Sequence, residues 1–344
     1  MSTDAPIFVT GGTGFLGRHL VPSLLERGYR LCLLVRPTSD ISWLKNGKFA
    51  EWHDRVELVV GDVTDREVIE GAVATSQCVV HAAGHFRLWG SPEEFYRVNV
   101  KGTDVVAQAI LNSHVQRLIY ISTVAVVGVP PPDEVITEET PCDPKDAYQC
   151  SKFEAELVLN GFVSAAGLPA IIFRPGAFYG PGGHYGFNRL FIEDPLRGLR
   201  IQVDEGRHLI FPVFVKDVAR AVVLALEQER PLESWDGQVY NICDQPYSHA
   251  YVNQLVSELL GINSWRLNVP RWLMIITASL MERWAQIDGH EPFYPLNLRY
   301  YVFNDWLVSN DKARIDLGFK PTSLREGLRQ TVTWYRGEEK SGGS

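Results

Sequence analysis

The chain of 344 residues carries 33 basic and 41 acidic side chains, a net charge of −8 at pH 7. That balance suits a self-repelling soluble globule and disfavours nucleic acid or an anionic membrane as the main partner. With 45% hydrophobic and 22% charged residues, whole-chain disorder, collagen-like repeats and coiled coil are excluded, and the length suffices to bury a core without cross-links. The cysteines Cys32, Cys78, Cys142, Cys150 and Cys243 are odd in number and include no C-x-x-C pair, so neither a disulfide framework nor a zinc site is expected.

The first half alternates short β-branched runs with amphipathic stretches, the pattern of βαβ units around a parallel sheet. Strands are expected at Ile7-Phe8-Val9, Leu31–Val35, Val56–Val60, Cys78-Val79-Val80, Leu118–Ile121 and Ala170–Phe173. Ile7-Phe8-Val9 breaks at once into glycines with no basic segment before it, unlike a signal peptide. Leu16, Leu20 and Leu24 repeat every four residues and line one helical face that stops near Gly28, with Pro22 expected to kink it. Beyond about residue 176 the alternation weakens. Pro130-Pro131-Pro132 reads as loop, and Val252–Leu260 as a helix capped by Ser248 and stopped by Gly261. The apolar run Leu273–Met281, between Arg271 and Arg283, falls short of the roughly 20 residues that span a bilayer; it reads as a buried or partner-facing helix, and the chain as cytoplasmic. The polar 338–344 stretch is expected to fray.

Gly11, Gly14 and Gly17 follow the first strand and open the first helix as G-x-x-G-x-x-G, a turn whose amides can meet a pyrophosphate at a positive helix end. Thr13, Phe15 and Leu16 belong to the same cofactor-binding turn. The second strand ends at Arg36, where an NAD site usually places a carboxylate. A guanidinium suits a 2′-phosphate and predicts NADP, with NAD as the alternative because Asp40 lies close in sequence. Asp62 in Gly61-Asp62-Val63 either meets the adenine amine or caps a helix. His81-Ala82-Ala83-Gly84 ends the fourth strand with residues small enough for the cofactor to approach, and no third ligand accompanies His81 and His85, so no metal is expected.

Tyr148 and Lys152 are spaced i, i+4 and share a helical face. An ammonium beside a phenol favours the phenolate and moves its pKa towards neutrality, as general acid–base work requires.

Together these residues resemble the extended short-chain dehydrogenase/reductase superfamily, through Gly11-x-x-Gly14-x-x-Gly17, Gly61-Asp62-Val63, His81-Ala82-Ala83-Gly84, Asn99 in Val98–Thr103, Ser122-Thr123, Tyr148-x-x-x-Lys152 and Arg174-Pro175-Gly176. The resemblance implies a Rossmann-type α/β fold, a doubly wound parallel sheet with a smaller, partly helical C-terminal substrate-binding region. It places the cofactor and catalytic residues mainly in 1–175 and the substrate region mainly in 176–337, with some later segments returning to the sheet. It makes Tyr148 the proton donor or acceptor, Lys152 also a ribose ligand, and Thr123 the hydroxyl on the substrate oxygen, with Ser122 competing. Asn99 either supports the lysine or is a satisfied buried amide. Pro175 and Gly176 join Val63, Ala82, Ala83 and Gly84 around the cofactor. The helices of Val100–Leu111 and Tyr148–Asn160 are implied as a homodimer interface.

Sugar-nucleotide members of this superfamily usually grip a diphosphate with an Arg shortly before a V-x-D element. Leu209–Asp217 contains no Arg, although Arg207 and His208 stand just upstream. The segment is more similar to the branch of dihydroflavonol reductases, 3β-hydroxysteroid dehydrogenases and hopanoid-associated epimerase-like proteins. Phe86, Trp89, Tyr185 and Phe187 are the expected substrate contacts, with Tyr179, Trp272, Tyr300, Tyr301 and Trp306 as further aromatics near the family's substrate loops. The expected activity is hydride transfer between NADP and a ketone or secondary alcohol of a hydrophobic or aromatic small molecule. The alternatives are a nucleotide-sugar epimerase or dehydratase and a non-catalytic NADP-binding regulator.

Overall fold

The computed structural model describes residues 5–45, 47–228 and 237–341. All six expected strands form: β1 (Ile7–Thr10), β2 (Leu31–Val35), β3 (Val56–Val60), β4 (Cys78–His81), β5 (Arg117–Ile121) and β6 (Ala170–Pro175). A seventh, β7 (Gln238–Ile242), returns from the second half to pair parallel to β6. The spatial order is β7-β6-β5-β4-β1-β2-β3, all parallel. Chain order therefore reverses between β1 and β4, and a crevice opens at the carboxyl ends of those strands, where doubly wound sheets bind ligands.

Period-two side-chain alternation explains why nearly every strand position is apolar. Ile7, Val9, Leu31, Leu33, Val80 and Ile119 point to one buried face, and Phe8, Cys32, Leu34, Val79 and Leu118 to the other. Helices α1 (Gly17–Glu26) and α6 (Val215–Glu227) cover the first face. The second is covered by α2 (Arg66–Ala74), α4 (Gly102–Leu111) and α5 (Ala147–Ala166). A short α3 (Pro92–Phe95) leads into α4 through a π-helical stretch, Tyr96–Lys101. Edge strand β3, bare on one side, is the exposed one. Helix α1 passes through Pro22 without interruption, since a missing donor breaks one bond and the buried Leu20, Val21, Leu24 and Leu25 hold the rest.

The second lobe has its own core around Phe187, Phe191, Phe211, Phe214 and Trp306. Its α7 (His249–Leu260) begins three residues before the expected Val252; Ser248 Oγ caps the Tyr251 amide at 3.2 Å and Gly261 closes the helix at φ 65°. Helix α8 (Arg271–Asp288) buries Met274, Ala278 and Ala285 and leaves Trp272, Ile276, Leu280, Trp284 and Ile287 exposed. The closing helix α9 (Leu324–Ser341) reaches into the 338–344 stretch, of which 342–344 lie outside the described residues. Among the described residues no helix is long and apolar enough to cross a membrane.

Candidate active site

A cleft of about 2530 Å³, open mouth included, runs along the carboxyl ends of the strands. Gly11, Thr13, Gly14, Phe15 and Leu16 form one end of its wall. Gly11 has φ 74°, and a Cβ there would lie 2.6 Å from the Ala82 carbonyl and the Ala83 amide. A Cβ on Gly17 would fall 2.3 Å from the Gly11 and Gly12 carbonyl oxygens. Gly17 thus stays out of the cleft and lets α1 start directly over the turn. This is a cradle that only glycine backbone leaves open, at a helix N-terminus, and it fits a dinucleotide pyrophosphate. Gly17→Val is expected to abolish binding of nicotinamide cofactors, read by isothermal titration; retained micromolar affinity would contradict the cradle.

Arg36 and Asp40 both line this end. The Asp40 carboxylate is held by Arg18 at 2.9 Å and by the Ser42 amide and hydroxyl at 3.0 and 2.6 Å, which keep its pKa below the usual range. Arg36, exposed at the rim, is anchored through its backbone amide to Ser39 Oγ at 3.1 Å. Asp62 lines the cleft beside Val63. It receives the Thr64 amide at 3.1 Å and Arg97 at 3.1 Å, whereas the cap of α2 is Asp65. Of the two readings of Asp62, the helix cap is therefore not the one the structure adopts.

His81 is fully buried and its hydrogen bonds fix its tautomer. Thr103 Oγ1 donates to the Asn99 carbonyl at 2.6 Å, so its oxygen accepts from His81 Nε2–H at 2.9 Å. His81 Nδ1 is left to accept from Thr10 Oγ1 at 2.7 Å, and Thr10 Oγ1 in turn accepts the Ala83 amide at 3.1 Å. Burial holds the imidazole pKa down at about 3, with the Lys152 charge acting the same way. Asn99 extends this relay. Its amide donates to the His85 carbonyl at 3.0 Å and to Ser151 Oγ at 2.8 Å, while its Oδ1 accepts the His85 amide at 2.7 Å. Asn99 thereby ties the loop after β4 to α5 one residue before Lys152.

A residue that the sequence reading overlooked, Glu156, gives Ser122 and Thr123 different surroundings. Ser122 donates to Glu156 Oε1, which is buried and also grips Arg174 through Nη2 at 2.6 Å and Nε at 3.0 Å. Thr123 instead faces the Tyr148 phenol, whose ionised form its hydroxyl favours. Desolvation at the cleft floor outweighs that contribution and raises the Tyr148 pKa above its ordinary value. The direction is opposite to that expected: burial is the largest cause and the Asp146 charge acts the same way, while Lys152 Nζ donates to the Ile121 carbonyl at 2.6 Å and lies 4.1 Å from the centre of the Tyr120 ring. Burial also brings the Lys152 amine down to about 7, with Glu156 opposing. Glu156 lies one turn beyond Lys152, a spacing that was the available signal.

On the other side of the cleft, Phe86 packs 4.7 Å from the Tyr148 ring and 5.4 Å from Tyr185. Tyr185 accepts the Leu88 amide at 2.8 Å and donates to Glu291. Phe187 also lines the cleft, as do Pro175 and Gly176, where a Cβ would sit 2.2 Å from the Phe211 carbonyl. Trp89 does not line it: beside Gly90, at φ 155°, the chain presents Leu88 instead. Tyr179 and Trp306 are core, Trp272 is 62% exposed, and of the late aromatics Tyr301 reaches the cleft, donating to Asp146 at 2.7 Å. Arg207 pairs with Asp204 at 3.5 Å and His208 stands between Asp204 and Asp305, both outside the cleft. Ile210 and Phe211 occupy the wall just beyond them.

Residues 7–243 match the model of the NAD dependent epimerase/dehydratase family. The chain is 32% identical over 365 residues to 3 beta-hydroxysteroid dehydrogenase type 7 of Mus musculus, covering 97% of this chain and 96% of that protein. It is 29% identical over 319 residues to a 4-hydroxy-2-methyl-3-oxo-4-farnesyl-3,4-dihydroquinoline-1-oxide ketoreductase of Stigmatella aurantiaca, covering 91% of each. Among solved structures, the crystal structure of gox2253 superposes with a TM-score of 0.80 at 28% identity over 97% of this chain and 99% of that one. The UDP-glucose 4-epimerase of Thermotoga maritima, at 24% identity, 97% and 99% coverage and a TM-score of 0.77, shares the fold.

Proposed function

Since the chain belongs to the NAD dependent epimerase/dehydratase family, within the extended short-chain dehydrogenase/reductase superfamily, we propose that it is an NADP-dependent oxidoreductase acting on a ketone or secondary alcohol of a hydrophobic or aromatic small molecule. The observation that carries this reading is a Tyr148–Thr123 pair at the floor of a cleft whose far wall is Phe86, Phe187, Ile210 and Phe211. A diphosphate-bearing substrate would need free cations there: Arg207 and His208 face Asp204 and Asp305 outside the cleft, and Arg87, which lines it, lies over the Tyr185 ring at 5.0 Å and 4.0 Å from Glu291. Relatives named as dehydrogenases and ketoreductases support the same class.

A bound nicotinamide supplies or accepts the hydride. The Thr10-to-Ala83 end of β1 and β4, the glycine turn and Pro175-Gly176 would hold it. Thr123 Oγ1 donates a hydrogen bond to the substrate oxygen, and Tyr148 Oη gives that oxygen its proton in the reducing direction. The raised Tyr148 pKa keeps the phenol protonated at neutral pH, the form a reduction consumes. Lys152 stands behind, fixed by the Ile121 carbonyl. Consumption of NADPH at 340 nm across a panel of ketones tests the assignment; an epimerase that regenerates its cofactor in each turnover consumes none.

Arg36 sets the cofactor preference in this reading. Wild type is expected to favour NADPH, and Arg36→Asp to move the NADPH/NADH ratio of kcat/KM towards NADH by roughly 10- to 100-fold, the scale of losing a charge-assisted bond. Equal preference in both proteins defeats the assignment.

A further inference from the structure

A second cavity lies beneath α8, a narrow space of about 80 Å³ that widens towards solvent. It shares the wall residues Leu190, Phe191, Leu298 and Val302 with the catalytic cleft, so one partition separates the two spaces. Its remaining surface is mostly apolar, with Leu199, Ile201, Met274, Ala278 and Phe303 prominent. Two polar groups in this lining have donor or acceptor capacity left over. His249 is 8% exposed, its ring stands edge-on to Phe191 at 5.4 Å, and its Nε2 is buried without a hydrogen bond. Burial holds its pKa at about 4, so it is neutral at physiological pH. The Arg299 Nε–H is likewise buried without a partner. That guanidinium donates to Tyr300 Oη at 2.7 Å and lies over the Tyr300 ring at 4.7 Å. Buried polar atoms in folded proteins are nearly always satisfied, and two unmet ones in one apolar chamber mark a place where a ligand oxygen is accommodated.

We propose that this chamber is a binding subsite for the far end of an elongated, largely apolar substrate that carries an oxygen acceptor, a carbonyl or carboxylate, remote from its reacting carbon. The inference rests on the oxidoreductase reading for the identity of the reacting end. The apolar body would enter where side chains of the shared Leu190–Phe191–Leu298–Val302 wall turn aside, and its terminal oxygen would accept from Arg299 Nε–H and from His249 Nε2–H, the tautomer with the proton on the unpaired nitrogen.

The test has a binding arm that needs no turnover. Fluorescence titration with 11-(dansylamino)undecanoate, a hydrocarbon chain ending in a carboxylate, is expected to give saturable binding to the wild type. Binding should be at least tenfold weaker in Ala278→Trp and in Leu199→Trp, which fill the chamber from two different elements. It should also be about tenfold weaker in Arg299→Met. In the kinetic arm, methyl ketones CH3–CO–(CH2)n–COO⁻ should gain kcat/KM by up to about fourfold per methylene as n grows. Both chamber-filling variants should flatten that gain while leaving short ketones unaffected. Unchanged probe binding in both filled variants overturns the subsite, as does a probe affinity indifferent to Arg299→Met. Intact probe binding with no ketone reduced would instead refute the oxidoreductase reading and leave the subsite standing.

Discussion

Tyr148→Phe is expected to lower turnover by roughly 10²–10⁴-fold, the contribution of a positioned general acid, with NADPH affinity within about threefold of wild type. The variant removes one oxygen and little else. The ring remains packed 4.7 Å from Phe86 and 6.4 Å from Phe95, so the helix that carries Lys152 keeps its seat. The phosphate cradle is built from Gly11, Gly14 and the backbone of Ala82 and Ala83, none of which touches the phenol. Thr123→Val should cost less, because Tyr148 can still transfer the proton. Steady-state rates at saturating ketone, with cofactor affinity measured separately by tryptophan quenching, read the effect. A Tyr148→Phe enzyme keeping more than a tenth of wild-type turnover would remove Tyr148 from the chemistry. Ser122→Ala is a useful contrast: Ser122 borders the cleft, but its hydroxyl is committed to Glu156, so its loss should register in stability more than in rate.

What the sequence made legible follows from which physical signals are local. Strands β1 to β6 could be read because burial on both faces forces near-continuous apolar runs between glycine and polar breaks. Strand β7 was harder: Gln238 and Asn241 interrupt its apolar pattern, and its partner β6 is far away in the chain. Helix spacing placed Tyr148 and Lys152 on one face but says nothing about where a flexible four-carbon amine ends. Its destination, the Ile121 carbonyl, is a tertiary contact across to β5. The roles of Ser122 and Thr123 likewise depended on Glu156 and Arg174, two charges from different elements that pair only once folded. Loop aromatics carried the weakest signal. Phe86 and Trp89 look alike in sequence, yet only Phe86 lines the cleft, because their orientation is set by Gly90 and by the bond from the Leu88 amide to Tyr185.

Acid should unfold this protein partly through His81. In the folded state its pKa is held down to about 3 from an ordinary value of 6.5 by burial, and its Nδ1 is committed as an acceptor from Thr10. Between those two values the unfolded chain binds a proton that the folded chain refuses, so stability falls as pH falls from about 6.5 towards 3. The slope for one such group approaches about 1.36 kcal/mol per pH unit, and over the window the loss is on the order of 5 kcal/mol. His249, held at about 4, adds a loss of the same sign over a narrower window. A protonated His81 would turn Nδ1 into a second donor facing the Thr10 hydroxyl. That hydroxyl would have to turn its own proton away from Nδ1 and leave it without its acceptor, loosening the ends of β1 and β4 where they frame the glycine turn. His81→Gln keeps a donor and an acceptor in the same place without titrating. It is expected to cost about 1–3 kcal/mol at pH 7 through imperfect geometry, and to reduce the steepness of the acid limb below pH 6.5 by up to one proton's worth. Urea midpoints at pH 7, 6, 5 and 4 for both proteins measure this, since the carboxylates common to the two cancel in the comparison. Parallel acid limbs for wild type and His81→Gln would show that the imidazole is not the group that resists protonation.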